Sequence, residues 1–372
     1  MKATLEYAVR SRLIIKSLAF LVGIDSSARS KFESALQSPS VLPIVAFLIG
    51  IRFRRLLRKV TGQLAGNARR NDIGTASEGL ASNNATTPGK HDSSPVLHLP
   101  PTPDDGSFPK VIFQTWKSRI EIPFNYAQWS TSFRRMNPDF EYVLWDDADN
   151  RRFIENYYPW FLPIYNAYPR EIYRADAVRY FFLYQFGGLY VDMDTECLRP
   201  VSPLFESGDV WLGRMGSDPN FPHSIPNAIM ASGPLQEFWL LAIHLLVENA
   251  RIKSEPEAMI GSGPEAMTGP ILLKRAYDTY VSAERSAVRE MIRDIAARLP
   301  DNLQPQPKAS IINLLAPERW YPIDWSNIIH QRLSHEITSS RLMLGERTKR
   351  WLFPEAFLVT YWTHSWKAPV RK

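Results

Sequence analysis

From residue 108 onward the apolar positions fall into short blocks. Val111–Phe113, Phe140–Trp145, Leu189–Val191, Asp209–Met215, Asn227–Ala231, Ser310–Leu315 and Phe357–Tyr361 read as strands, several set off by Pro, Gly, Asn or Asp. Between them, residues 123–136, Asp146–Tyr157, Pro169–Phe186, Leu235–Ala250, Glu265–Val281 and Glu284–Leu299 read as helices. Asn137-Pro138-Asp139 is a turn. Strands alternating with helices predict an α/β fold with a mostly parallel sheet flanked by helices. Ligands of such sheets bind beyond the carboxyl ends of the strands.

The first hundred residues have a different texture. Two apolar stretches, Leu13–Ile24 and Val41–Ile51, lie in a segment 1–60. The first is interrupted by Lys16 and Ser17, and the second contains Pro43. A spanning helix needs about 20 apolar residues. Neither stretch reaches that length without polar residues, so the segment is expected to associate with a membrane by spanning it or by lying on it. Lys2, Arg10 and Arg12 precede the first stretch and Lys16 lies early within it, and Arg52, Arg54, Arg55, Arg58 and Lys59 follow the second. The positive-inside rule therefore gives no single orientation. Residues 61–107, rich in Gly, Ser, Asn, Thr and Pro, are expected to form a flexible linker. It carries an acceptor pattern for N-glycosylation, Asn84-Ala85-Thr86, usable only in a luminal chain. The expected division is thus 1–60, 61–107 and a catalytic domain over 108–372.

Charge sharpens this division. The net charge is +6, and the surplus belongs to residues 1–107, with 14 Lys/Arg against 8 Asp/Glu. Residues 108–372 are balanced, so nothing points to nucleic acid. The single cysteine, Cys197, excludes an intrachain disulfide and is expected to be a buried bystander thiol. With 11 Trp, 15 Tyr and 19 Phe, the chain has ample material for a core.

The chemistry concentrates in one run. Tyr173–Tyr180 belongs to a charged, amphipathic helix that ends at Gly187-Gly188. A short apolar strand follows, and Asp192-Met193-Asp194 stands at its end. Two carboxylates at a strand end offer oxygen ligands to a hard cation. Mn²⁺ or Mg²⁺ is commonly held by one or two carboxylates together with substrate phosphate oxygens. The expected activity is metal-dependent transfer from a nucleotide sugar. Asp176 and Arg179, three residues apart, share a helix face and form an ion pair on the simplest reading.

The order Arg174-Ala-Asp-Ala-Val-Arg-Tyr180, Gly187-Gly-Leu-Tyr-Val-Asp-Met-Asp-Thr195 resembles family 32 glycosyltransferases with the Asp-x-Asp sugar-binding motif. That family includes the fungal initiating α-1,6-mannosyltransferases and the inositol phosphorylceramide mannosyltransferases. The resemblance extends from Phe108–Lys117 through Asn137–Asp147 and Thr268-Gly269-Pro270 to Tyr361–Lys367. It implies a GT-A type nucleotide-sugar transferase fold, a Golgi or other secretory-pathway membrane with the catalytic domain luminal, and retaining transfer. It favours GDP-mannose as donor with a glycan or glycolipid acceptor. The alternatives are a UDP-sugar galactosyl- or glucosyltransferase, a sphingolipid mannosyltransferase, and a non-catalytic sugar-binding scaffold.

The resemblance also implies roles. Asp194 would bind the metal directly, with Asp192 reaching ribose and metal and His364 as a third ligand. Asp176 would bind donor-sugar hydroxyls, and Arg179 the sugar or diphosphate, so that Asp192, Asp194 and Arg179 carry catalysis. Gln114, Thr115 and Trp116 would surround base and ribose, with Tyr190 near the ribose. Asn227 would lie near sugar and acceptor, and Trp366 would donate to the diphosphate. Two positions depart from the pattern: Phe113 stands where His is usual, and Ala231-Ser-Gly-Pro234 replaces the common Gly-His-Pro.

Overall fold

The computed structural model describes residues 12–38, 41–68, 97, 99–100, 107–339 and 344–363. The chain divides into two compact units, Met1–Leu97 and His98–Lys372.

In the first unit α1 (Arg12–Val22), α2 (Arg29–Ala35) and α3 (Val41–Ala68) follow one another. α1 packs on α2 and on α3. Ile15, Ala19, Val22, Phe32, Ile44 and Leu48 are buried. Both apolar stretches are therefore helical. Pro43 falls in the first turn of α3, where its missing N–H breaks no helical bond. No described helix is long and apolar enough to cross a membrane. α3 continues to Ala68, past the expected start of the linker at residue 61. Residues 69–96, including Asn84-Ala85-Thr86, lie outside the described residues.

The second unit begins with β1 (Val111–Thr115), α4 (Phe124–Met136), β2 (Glu141–Trp145), α5 (Asp147–Tyr157), α6 (Leu162–Ala167), α7 (Glu171–Phe186) and β3 (Gly188–Val191). β4 (Thr195–Cys197), β5 (Val210–Gly213), β6 (Ile229–Ser232), α8 (Glu237–Ile252), α9 (Pro256–Met267), α10 (Pro270–Ser282) and α11 (Arg285–Ala296) follow. β7 (Ile312–Leu315), α12 (Pro317–Trp320), α13 (Ile328–Ser339), α14 (Glu346–Leu352) and β8 (Leu358–Thr360) complete it.

Six strands form the central sheet in the order β2-β1-β3-β6-β5-β7. β1 runs parallel to β2 and β3, and β5 parallel to β7. β6 alone is reversed, pairing antiparallel with both β3 and β5. The mostly parallel sheet flanked by helices is the architecture expected from the sequence. Because five strands point one way, Thr115, Trp145, Val191, Gly213 and Leu315 all end at one edge, and β6 starts there at Ile229. β4 and β8 form a separate antiparallel pair, Thr195 opposite Thr360.

α7 packs against β3, β6 and α8. It is not the amphipathic surface helix its charges suggested. Eleven of its sixteen residues are buried, Asp176 and Arg179 among them. The helix–strand connection needs Gly187 and Gly188, both at positive φ. A Cβ on Gly187 would meet the Ser232 carbonyl at 2.5 Å, and one on Gly188 the Val111 carbonyl at 2.7 Å.

The single helix expected over Glu265–Val281 is broken at Thr268-Gly269, and α10 starts at Pro270, whose missing N–H suits a first turn. The pattern also gave no sign of β4, α13 or α14. Each is short or lacks a strong apolar period, so tertiary contacts decide it. Phe113 is a core residue, its ring 5.4 Å from that of Phe182. Cys197 is buried and free, and burial pushes its thiol up to about 12, as expected for an inert thiol.

Candidate functional site

A cavity of about 450 Å³ opens at the sheet edge where the parallel strands end. Asp192 and Asp194 follow β3 and line it, as do Thr115, Trp116, Asp176, Arg179, Tyr190 and Asn227.

Arg179 organises the polar floor. Nη1 donates to Asp192 Oδ1 at 3.0 Å and to the Asn227 carbonyl at 2.7 Å. Nη2 pairs with Asp176 Oδ1 at 2.9 Å, and Nε donates to the Ala175 carbonyl at 3.1 Å. The guanidinium lies over the Tyr190 ring, 4.6 Å from its centroid. The Asp176–Arg179 pair expected from the spacing is thus real, but it is buried and shared with Asp192. Asn227 closes the group, its amide donating to Asp176 Oδ1 at 3.0 Å.

The two aspartates are oriented differently. Asp192 Oδ1 accepts from Arg179 and, at 2.9 Å, from the Tyr190 hydroxyl. Tyr190 is a strand residue whose hydroxyl aims the carboxylate. Asp194 Oδ2 accepts from the backbone N–H of Thr363 at 2.8 Å and from its hydroxyl at 2.9 Å. The Tyr126 hydroxyl lies 2.6 Å from the same Thr363 hydroxyl. Thr363 reaches Asp194 because β8 pairs with β4 and Tyr361 N–H bonds the Asp194 carbonyl at 3.0 Å. Trp362, between them, adopts φ 51, a strained conformation for a bulky residue. Its indole N–H is held by the Ile323 carbonyl at 2.6 Å, and its ring stacks on Tyr321.

These contacts occupy one oxygen of each carboxylate. Both carboxylates line the cavity. Two such carboxylates suit a hard divalent cation whose remaining ligands are phosphate oxygens and water. Among the described residues there is no cluster of three or more His, Cys, Asp or Glu that could hold a metal ion unaided. His364, the expected third ligand, and Trp366 lie outside the described residues.

Electrostatics follow from burial. It pushes Asp192 up to about 6, against the pull of Arg179 and with a push from Asp194. A third of the Asp192 side chain, 33%, remains exposed, so water screens part of this rise. Burial raises Asp176 to about 6, with Arg179 opposing. It raises Asp194 too, opposed by the Thr363 hydrogen bonds. Burial alone would lower the Arg179 pKa, but Asp192, Tyr190 and Asp176 outweigh it and keep the guanidinium charged. A cation placed between the carboxylates would reverse the unfavourable terms.

One expected ligand residue stands apart. Gln114 is buried and does not line the cavity. Its amide donates to the Asp192 carbonyl at 3.1 Å and accepts from the Tyr142 hydroxyl at 2.5 Å. It braces the backbone of the aspartate turn. Trp116 does line the cavity, its indole N–H on the Glu121 carbonyl at 2.9 Å and its ring 4.9 Å from Tyr126. Sequence reasoning missed Thr363, Tyr126, Glu265, His223 and Trp325. Only Thr363 had a signal, its place between Trp362 and His364.

Residues 123–212 match a family model described as a glycosyltransferase sugar-binding region containing a DXD motif. Inositol phosphoceramide mannosyltransferase 2 of Schizosaccharomyces pombe is 35% identical over 200 residues, 53% of this chain and 55% of that protein. Inositol phosphoceramide mannosyltransferase 3 of the same yeast is 41% identical over 140 residues, 38% and 37% of the two chains. The initiation-specific alpha-1,6-mannosyltransferase of Candida albicans is 32% identical over 118 residues, 30% and 31% of the two chains. The chain spans about half the length of the first of these relatives and less of the others. The kinship inferred from the motifs is borne out.

Proposed function

Since the chain carries the sugar-binding region of the Asp-x-Asp glycosyltransferases, we propose that it is a retaining mannosyltransferase. GDP-mannose is the donor, and a glycolipid of the inositol phosphoceramide type is the acceptor. The reading is carried by Asp192 and Asp194, each aimed by hydrogen bonds from the protein and both lining the cavity. The acceptor class follows from what the yeast relatives are named for.

A bound Mn²⁺ or Mg²⁺ supplies charge that neutralises the departing diphosphate. The remaining work belongs to the chain. Asp192 and Asp194 would hold the cation. Arg179 pairs with both Asp192 and Asp176, and Asp176 and Asn227 present acceptors and donors to the sugar hydroxyls. Trp116 and Tyr126 offer ring faces to the nucleoside. An acceptor hydroxyl attacks the anomeric carbon from the face the diphosphate leaves. One C–O bond forms as the sugar–phosphate C–O bond breaks, and the proton passes to the diphosphate oxygen. Burial of Arg179 and Asp176 strengthens the interactions of these two charges.

The first unit supports attachment to a secretory-pathway membrane with α3 lying on the surface. Phe53, Leu56 and Leu57 are exposed on one side of that helix, while Arg54, Arg55 and Arg58 lie on the other.

The test is a panel of nucleotide sugars incubated with the full chain, with and without Mn²⁺. GDP-mannose should be hydrolysed in the presence of the metal and spared without it. Turnover of a UDP-sugar in its place would overturn the donor assignment. Inertness to every donor would favour a binding scaffold.

A further inference from the structure

The strand order lays out, along the open edge of the sheet, the groups that follow each strand. Trp116 comes after β1, and Asp192 and Asp194 after β3. His223 lies on the connection from β5 to β6, and Trp325 beyond β7. All five line the same cavity. In sheet order, then, aromatic side chains flank the carboxylates on both sides. Trp116 and Tyr126 serve the nucleoside in the reading above. The opposite end, across β6 and β5, has been given no task.

That end is built of three rings in mutual contact. Phe221 and His223 have centroids 5.5 Å apart, Phe221 and Trp325 5.5 Å, and His223 and Trp325 5.3 Å. None of the three is sealed in the core, unlike Trp129, Trp145, Trp239 and Trp320. Rings that brace one another lose little freedom when a ligand arrives. Half-buried rings at a cavity wall combine an apolar face with a polar edge. A ring polyol matches both: its C–H face packs on indole, and its hydroxyls meet an imidazole nitrogen.

We propose that His223 and Trp325, backed by Phe221, form the acceptor subsite and take the polyol ring, cyclitol or pyranose, that receives the sugar. This rests on the glycosyl-transfer reading above.

The experiment is saturation-transfer NMR on the full chain with GDP and Mn²⁺ present, using myo-inositol 1-phosphate and methyl α-mannoside as separate probes. One of the two rings should receive saturation, and which one does so identifies the acceptor as cyclitol or sugar. Trp325→Ala should weaken that probe by about tenfold, roughly the value of one aromatic face. Trp325→Phe should keep most of the affinity, and GDP should bind both variants as it binds the wild type. Should Trp325→Ala lose GDP binding through misfolding, His223→Ala carries the test, with the same weakening expected. Absence of both rings from the wild type, or wild-type binding in the variants, overturns the subsite. A wild type without GDP binding or Mn²⁺-dependent donor hydrolysis instead overturns the transferase reading.

Discussion

Asp192 and Asp194 stand one residue apart, yet they are held by different parts of the chain and by different forces. Asp192 belongs to the sheet and helix layer, where a buried guanidinium and a tyrosine hydroxyl grip one oxygen. Asp194 belongs to the β4–β8 pair, where a backbone N–H and a hydroxyl from Thr363 do the same. The first grip is ionic and the second dipolar. On the metal-dependent reading proposed above, a cation would meet one carboxylate paired with Arg179 and one that is hydrogen-bonded without such an ion pair. Asp194 would then have the more charge to give and be the stronger ligand.

The sharpest break of this contrast is Asp194→Asn. It should abolish the rise in melting temperature that Mn²⁺ gives the wild type, since that rise measures affinity for the native state. Transfer should fall by orders of magnitude while the apo protein stays folded. Calorimetry with and without Mn²⁺ decides it, and an undiminished shift would remove Asp194 from the site.

Arg179→Lys tests the ionic grip. Spacing alone makes this look like a stability-neutral change at a surface pair. Burial and shared contacts with Asp176 and Asp192 change the expectation: a lysine serves one carboxylate and strands the other. Turnover should drop strongly, and stability should fall by about 2 kcal/mol. Urea titration at neutral pH reads the second effect, and an unchanged midpoint would mean that the fork is not needed.

Thr363→Val tests the dipolar grip and should do less. The hydroxyl donor goes and the backbone donor stays, so Mn²⁺ should bind a few-fold more weakly, about 1 kcal/mol. Loss as complete as that of Asp194→Asn would make Thr363 more than an orienting residue.

The smallest expected effect is on pH. Asp192 and Asp176 are raised to about 6 in the fold, above the ordinary carboxylate value of 3.8. Each therefore binds a proton more readily folded than unfolded. Without metal, stability should rise as pH falls from 7 through 6 and level off near 4. With Mn²⁺ bound, the trend should flatten or reverse, because protons then compete with the ion. Melting curves from pH 4.5 to 7.5 separate the cases.

This asymmetry marks how far the sequence could be read. The strands that deliver Asp192 were visible as compact apolar runs, and Gly187-Gly188 announced the turn before them. The carboxylate pair was visible because it is contiguous. What stayed hidden depends on contacts between distant residues. Nothing local marks the tripeptide Thr195-Glu196-Cys197 as a strand, because its partner lies at 358–360. Gln114 was expected at the base because the resemblance places the Gln114–Trp116 segment there. Its amide instead donates to the Asp192 carbonyl, a contact between residues far apart in the chain. Phe221, His223 and Trp325 meet only because β5 and β7 are neighbours.

The bond between Asp194 and Thr363 spans 169 residues. During synthesis, β1, β2, β3 and β6 can pair and Arg179 can find Asp192 while Thr363 has yet to be made. The dipolar half of the site is thus finished late, after the slow, non-local step of laying β8 against β4. An incomplete nascent chain lacks the Thr363 bonds that aim Asp194, so on the metal-dependent reading proposed above full cation affinity would report that the chain has been made through to Thr363.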